Sequence, residues 1–374
     1  MRLRSLIWTV VGPALIVGLA GCGSGNNQQG GPAIQYGNNP PNTTTAPNAT
    51  GPATTGATDA GAATPAKFNK KTLKITMIAK SSTNPVFLSA RKGAEDAAKE
   101  LSAKTGVAIS IDWQTPPQED AQQQANNISQ AVNSGSDAIL ISCSDAAKVT
   151  SAINDAVDRS VPVMTFDSDA PDSKRFAFYG ADNHDVGIQV MEELAKLNHG
   201  KGNVAILDGN QNAPNLKIRA DAVKEDAAKY PGIKIVGVFN HLETPDDATN
   251  EVEMDMKAYP QIDSWAMVGG WPLFSPALLH ELDPAKVKVV AVDALPVELP
   301  YVEHGVAPVL LAQPTYLWGH KSVEILVDHI VNGKDVPAIN KMDLVRVDKA
   351  SLGKWAAQLT AWGFPDVDKY YPAK

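Results

Sequence analysis

Cysteine is nearly absent: Cys22 and Cys143 are the only two in 374 residues. A disulfide framework is thereby excluded, and the folded part must be held by its core. No basic run occurs and the formal net charge is −8, which argues against nucleic acid as a partner. The longest uncharged apolar run, Leu6 to Ala20, is too short to span a bilayer comfortably. Catalytic signatures are missing too: there is no Gly-x-Ser-x-Gly elbow, phosphate-cradling glycine loop or His-Glu-x-x-His. The seven histidines are scattered, with no two at ligand spacing on one helix. Asp208-x-Asn210-x-Asn212 starts like a calcium loop, but Ala213 replaces the needed glycine and Arg219 stands where the last glutamate belongs. The expectation is a protein with no metal, no cofactor and no catalytic residue.

What is present begins at the N-terminus. Arg2 and Arg4 precede the apolar run, which ends in Leu19-Ala20-Gly21-Cys22. This arrangement is that of a secretion signal, and the four-residue block resembles the lipobox of bacterial lipoproteins. The resemblance implies cleavage before Cys22 and its lipidation, placing the chain at the cell envelope, facing the periplasm or the exterior. Loss of residues 1–21 removes two arginines and no acid, moving the formal charge from −8 to −10. Between Gly23 and Ala66 the only charge is Asp59, amid Gly, Asn, Gln, Thr, Pro and Ala. Such a segment cannot bury enough apolar surface to order itself, so a tether is expected over residues 22–70. About 45 such residues reach roughly 35–40 Å.

From Leu73 onward, short β-forming runs alternate with helical patterns. The stripe Phe87, Ala90, Ala94, Ala97, Ala98 and Leu101, closed by Gly106, is the first helix. Strands are expected at Leu73–Ala79, Val107–Asp112, Ala138–Ser142, Pro162–Phe166 and Phe176–Gly180, then in a second series at Asn203–Leu207, Ile233–Phe239, Trp265–Val268, Val287–Val292, Val309–Ala312 and Leu344–Val347. Helices are expected between them, among others over 273–282 and 296–304. Alternation of this kind implies parallel sheets with right-handed crossovers. The expected fold class is α/β, with two Rossmann-like, doubly wound lobes. Ligands of such sheets bind beyond the carboxyl ends of the strands.

Those strand ends are polar: Lys80-Ser81-Ser82-Thr83-Asn84, Ser142-Cys143-Ser144-Asp145, Asp167-Ser168-Asp169, Asp208-Gly209-Asn210 leading to Asn215 and Arg219, then Glu243, Gly269-Gly270-Trp271, Asp293 and Gln313. Carboxylates and amides bind hydroxyls, arginine donates in a fork, and an aromatic ring packs the C–H face of a sugar. Bland readings stay open at this level. Asp167 and Asp293 can cap following helices, Arg219 can lie on a surface, Trp271 can be a core ring, and Cys143 reads as a packed thiol.

Asn84-Pro85-x-Phe87, Phe166-Asp167, Asn215-x-x-x-Arg219, Asp293 and Gln313 together resemble, in order and spacing, the ribose/galactose-type (type I) periplasmic substrate-binding proteins of ABC sugar importers. The resemblance runs from about Leu73 to Val347. It implies two lobes joined by a three-segment hinge that close on a sugar. It also implies that Asn84, Asp167, Arg219, Asp293 and Gln313 hydrogen-bond hydroxyls while Phe87 stacks on the ring. Departures from the pattern add Ser142 for an asparagine, Asp169 as a second carboxylate where an arginine is usual nearby, and Trp271 as a shifted stacking wall. The ligand-binding set is thus Asn84, Phe87, Ser142, Asp167, Asp169, Asn215, Arg219, Trp271, Asp293 and Gln313. The expected division is 1–21 signal, 22–70 tether, 71–181 with 314–341 as the first lobe, 182–313 with 342–350 as the second, and 351–374 as an extension without assigned role. The expected partners are a small sugar or polyol, ABC permease subunits and the membrane through lipid, with the protein itself a monomer. Presentation of a bound ligand to a chemoreceptor or sensor kinase is the alternative.

Overall fold

The computed structural model describes residues 68–372; the signal, Cys22 and nearly all of the tether lie outside them. The first series runs β1 (Thr72–Ile78), α1 (Pro85–Thr105), β2 (Ala108–Trp113), α2 (Ala121–Asn133), β3 (Ala138–Ile141), α3 (Ala146–Asp158), β4 (Val163–Phe166) and β5 (Ala177–Ala181). The second runs α4 (Asn183–Leu197), β6 (Lys201–Asp208), α5 (Pro214–Ala227), β7 (Gly232–Asn240), α6 (Pro245–Ala258), β8 (Ser264–Met267), α7 (Ala277–Glu281), β9 (Lys288–Val292), α8 (Leu299–His304) and β10 (Val309–Ala312). The chain then returns through α9 (Thr315–Ile330) and β11 (Ile339–Met342), and ends in β12 (Val345–Asp348), α10 (Leu352–Ala361) and α11 (Val367–Tyr370).

Among the described residues two six-stranded sheets result, ordered β11-β5-β4-β3-β1-β2 and β12-β10-β9-β8-β6-β7. Their pairings are parallel except β10 with β12. Each sheet reverses its winding once, between β1 and β3 and between β6 and β8, and at such points a crevice opens beyond the strand ends. The doubly wound two-lobe fold is therefore present. β3, β4, β8 and β10 are buried along their whole length, as strands covered by helices on both faces must be.

Three details depart from the sequence reading. β11, Ile339–Met342, has the mostly solvent-facing sequence INKM and becomes a strand only by pairing with β5. The helix expected over 273–282 is broken into a 3-10 turn, Trp271–Phe274, and the short α7, because Pro276 stands between them and lacks the amide a continuous helix needs. The stretch expected to be helical over 296–304 opens as a 3-10 turn at Pro296–Glu298 before α8.

The first lobe is closed by α9 lying on α1. Their backbones touch: a Cβ on Gly93 would stand 1.9 Å from the Tyr316 carbonyl oxygen, and one on Gly319 would stand 1.8 Å from that of Ala90. Beyond β12, α10 packs Leu352, Trp355 and Leu359 into the second lobe's core. The Trp355 indole donates to the Ala294 carbonyl at 2.7 Å. Trp362 then stacks on Tyr316 of α9, with centroids 5.5 Å apart and planes at 11°. The extension thus touches both lobes. Cys143 is fully buried, and burial pushes its thiol pKa far up, as expected of a packed thiol.

Candidate functional site

Three acids at strand ends adopt left-handed backbone angles: Asp167 (φ 57°), Glu243 (φ 58°) and Asp293 (φ 80°). L-residues reach this region at a cost, least for Asp and Asn, so backbone strain is held at three of these strand ends. Neither Asp167 nor Asp293 caps a helix; the 3-10 turn after Asp293 starts from Leu295.

Asp167 collects donors from both lobes. Ser142 Oγ, beyond β3, donates to its Oδ2 at 2.7 Å. Asn215 Nδ2, from the first turn of α5, donates to its Oδ1 at 3.2 Å. Asn215 in turn accepts from Lys80 Nζ, just beyond β1, at 3.3 Å. Lys80 is only 2 % exposed. Burial works against its ammonium, and the carboxylates of Glu243, Glu119 and Asp167 outweigh that effect, so its pKa lies above the usual lysine value.

A second network surrounds Arg219, itself 2 % exposed and so no surface residue. Its Nε donates to Asn183 Oδ1 (2.9 Å), one terminal nitrogen to the Val268 carbonyl (3.0 Å) and the other to Gln313 Oε1 (2.9 Å). Gln313 Nε2 completes the chain by donating to Asp293 Oδ1 at 2.9 Å. Burial lifts the Asp293 carboxyl above its ordinary range, opposed by the Gln313 donor and the Arg219 charge. Asp208, beyond β6, is likewise lifted by burial, to about 6.

Ser142, Asp167, Asn215, Arg219, Asp293 and Gln313 are therefore tied into buried networks at the strand ends. Asn84 heads α1 and accepts from the Val86 amide at 3.1 Å, so its side-chain oxygen serves as a helix cap. Asp169 is not part of the cluster. Arg175 binds it in a fork at 2.5 and 2.6 Å, and Thr165 adds a third bond, so both its oxygens are engaged within the first lobe. The arginine missing directly after Asp167 is thus replaced by one further along the chain, and the second carboxylate is compensated rather than presented. Phe87 packs against Phe166 and Trp318 and is 3 % exposed. Trp271 lies against Gly269, where a Cβ would meet its ring at 2.3 Å, and edge-on to His241 at 4.8 Å.

Sequence reasoning left Lys80, Glu119, Asn183, Asn210 and His241 out of the site set. Lys80 carried a usable signal, since it directly follows an apolar strand. Asn210 carried the same signal, standing just beyond β6, whereas Glu119 carried none, because a loop residue ahead of a helix acquires meaning only when the lobes meet. Asn210 Nδ2 donates to Glu119 Oε2 at 2.9 Å, joining the loop after β6 to the loop before α2. Beside this bond lies an open cavity of about 780 Å³ reaching His241, Leu242 and Asp247. The arrangement offers charge-assisted donors and acceptors from two lobes. Among the described residues no helix is long and apolar enough to cross a membrane, and no group of acidic, His or Cys side chains is placed to hold a metal.

Comparison with known proteins agrees with this geometry. Residues 75–335 match the periplasmic binding protein domain family. The ribose import binding protein of Bacillus subtilis is 33% identical over 143 residues, covering 38% of this chain and 44% of that one. The D-allose-binding periplasmic protein of Escherichia coli is 25% identical over 287 residues, covering 73% and 89%. The match spans about half the length of the first relatives, 44% for the ribose protein and 54% for a xylitol-binding protein of Mycolicibacterium smegmatis. Among solved structures, a solute-binding protein of an ABC transporter from Burkholderia graminis, in complex with D-arabinose, superposes with TM-score 0.70 at 26% identity, over 75% of this chain and 96% of that one. With two doubly wound lobes, polar strand ends facing one another and a family match over most of its folded length, this chain belongs to the periplasmic binding protein domain family.

Proposed function

We propose that this chain captures a monosaccharide or polyol between its lobes and hands it to an ABC importer, acting as a monomer held to the membrane through lipidated Cys22. The observation that carries this reading is the pair of polar networks at the strand ends, one joining Lys80, Asn215, Asp167 and Ser142 across the lobes, the other joining Arg219, Gln313 and Asp293. A hydroxylated ligand touching both lobes favours the closed arrangement because it gains from both at once. Hydrogen bonds to charged groups contribute about 1.5–3 kcal/mol each. Three or four of them reach micromolar binding, about −8 kcal/mol, after the entropy of capture. A wrong epimer leaves one buried group unpaired, which is the source of selectivity. The role is binding without chemistry.

The test is thermal unfolding against D-ribose, D-allose, D-arabinose, D-galactose and xylitol. A sugar present at a hundred times its dissociation constant adds about 2.7 kcal/mol and raises the midpoint. The expected result is a shift with one or a few of these, lost in Asp293→Ala and Arg219→Ala. A folded protein that ignores the whole panel overturns the sugar reading.

A further inference from the structure

The loop before α2 and the loop after β7 bring two carboxyl groups together from opposite lobes. Glu119 belongs to the first lobe and Glu243 to the second, and Glu119 lies close enough for its charge to raise the Glu243 carboxyl. Asn210 braces both: its backbone amide donates to Glu243 Oε1 and its side-chain amide to Glu119 Oε2, each at 2.9 Å. Glu119 Oε1 is buried and receives no donor from any described residue. Two charged carboxylates braced by one residue repel each other, and a buried, donorless carboxylate oxygen is costly. A single proton between the two acids resolves both problems.

The surroundings are consistent with one proton and no more. The Lys80 ammonium faces the pair from the end of β1, balancing one negative charge. Arg219, on α5, faces both Lys80 and Glu243, and the acids Asp167, Asp293 and Asp208 beyond β4, β9 and β6 face Arg219 in turn and offset its charge. His241, on the Glu243 loop, accepts the Glu243 amide on Nδ1 at 2.9 Å. Burial holds it neutral, with a pKa near 4, against the pull of Asp247 on α6. Burial and the Glu119 charge raise the Glu243 carboxyl to about 8.

We propose that Glu119 and Glu243 are positioning residues that share one proton across the cleft, and that this proton is needed to hold the lobes closed on the sugar. The proposal rests on the sugar-binding reading above. Loss of the proton leaves two facing carboxylates with one ammonium, and the repulsion falls directly on the contact that joins the lobes.

The experiment uses the full chain, wild type and Glu119→Gln. The panel sugar giving the largest thermal shift at pH 6.5 is titrated calorimetrically from pH 6.5 to 9.5. From pH 6.5 to about 8 the wild-type dissociation constant is expected to rise up to about tenfold per pH unit and then to level off, since over that range the closed form holds a proton that the open form has released. The side-chain amide that Glu119→Gln introduces donates without a titrating proton, so this variant is expected to bind with a flat profile. A flat wild-type profile, or the same slope in both proteins, overturns the proposal. If no panel sugar binds, the sugar reading has failed, and small-angle scattering of the unliganded protein still decides about the pair. Expansion between pH 6.5 and 9.5 in the wild type alone supports it; identical behaviour of the two proteins overturns it.

Discussion

Asn215 of α5 donates its side-chain amide to Asp167 beyond β4 at 3.2 Å, so a helix start in one lobe completes an acid of the other. The same side chain accepts from the buried Lys80 ammonium. One amide thereby satisfies an anion and a cation that approach from the same sheet.

Asn215→Ala removes that mediation and leaves both charged groups short of a partner. A bond to a charged group contributes about 1.5–3 kcal/mol, so sugar affinity should fall roughly ten- to a hundredfold. Calorimetry with the best sugar of the panel reads this directly. Unchanged affinity would remove Asn215 from the site.

Arg219→Lys should fail as a conservative change. One ammonium cannot reach Asn183, the Val268 carbonyl and Gln313 together, whereas the guanidinium fork does. At least one buried acceptor is stranded, a loss of about 1–3 kcal/mol in urea unfolding, with weakened sugar binding besides. Wild-type stability in the variant would show that the network tolerates rearrangement.

Gly319→Ala drives a methyl group into the Ala90 carbonyl at the crossing of α1 and α9. Neither backbone can yield without moving its helix, so a cost of about 1–3 kcal/mol or more is expected. The helices meet within the first lobe, so the midpoint should drop while the sugar still binds the folded fraction.

Trp355→Phe keeps the ring in the second lobe's core and deletes the bond to the Ala294 carbonyl. Ala294 directly follows Asp293, so the lost tie loosens a site acid as well as costing about 1 kcal/mol. Thermal unfolding with and without sugar separates the two effects. A loss confined to stability would show that the extension supports the fold alone.

The pH dependence of stability has a definite sign near neutrality. Burial raises Glu243 from 4.5 to about 8, so the folded protein keeps a proton that the unfolded chain has given up. Stability therefore falls as pH rises toward 8. Asp208 and Asp255, raised to about 6, have made most of their contribution below that window. His241, lowered to about 4, acts oppositely and only below its unfolded value of 6.5. The midpoint at pH 8 should lie below that at pH 6.5, and Glu243→Gln should reduce the difference without abolishing it, since burial also lifts Glu298 well above the ordinary carboxyl range and Asp293 above it. The exposed His184–Glu225 pair acts in the same direction and remains in the variant, where solvent screens it.

Periodicity and turn chemistry determined much from the sequence alone. Apolar runs such as Ala138–Ile141 and Val309–Ala312 have no plausible place except inside a parallel sheet, and the αL glycine at Gly106 ends α1 where the stripe ends. Polar residues directly after such runs mark the strand ends, which is why Asp167, Asp293 and Gln313 could be singled out, while Arg219, inside α5, was reached only through the Asn215-x-x-x-Arg219 resemblance. Asp169 shows the limit. Its neighbourhood in sequence said nothing of Arg175 turning back to bind both its oxygens. β11 shows it again, because a polar INKM segment becomes a strand only when β5 offers an edge. Glu119, Asn210 and Glu243 lie far apart in the chain, and their shared hydrogen bonds depend on two separately wound lobes meeting. Local pattern fixes what a residue can do along its own element. Which charges become neighbours is a property of the packed lobes, because burial and partner distance, the terms that set their energies, exist only after folding.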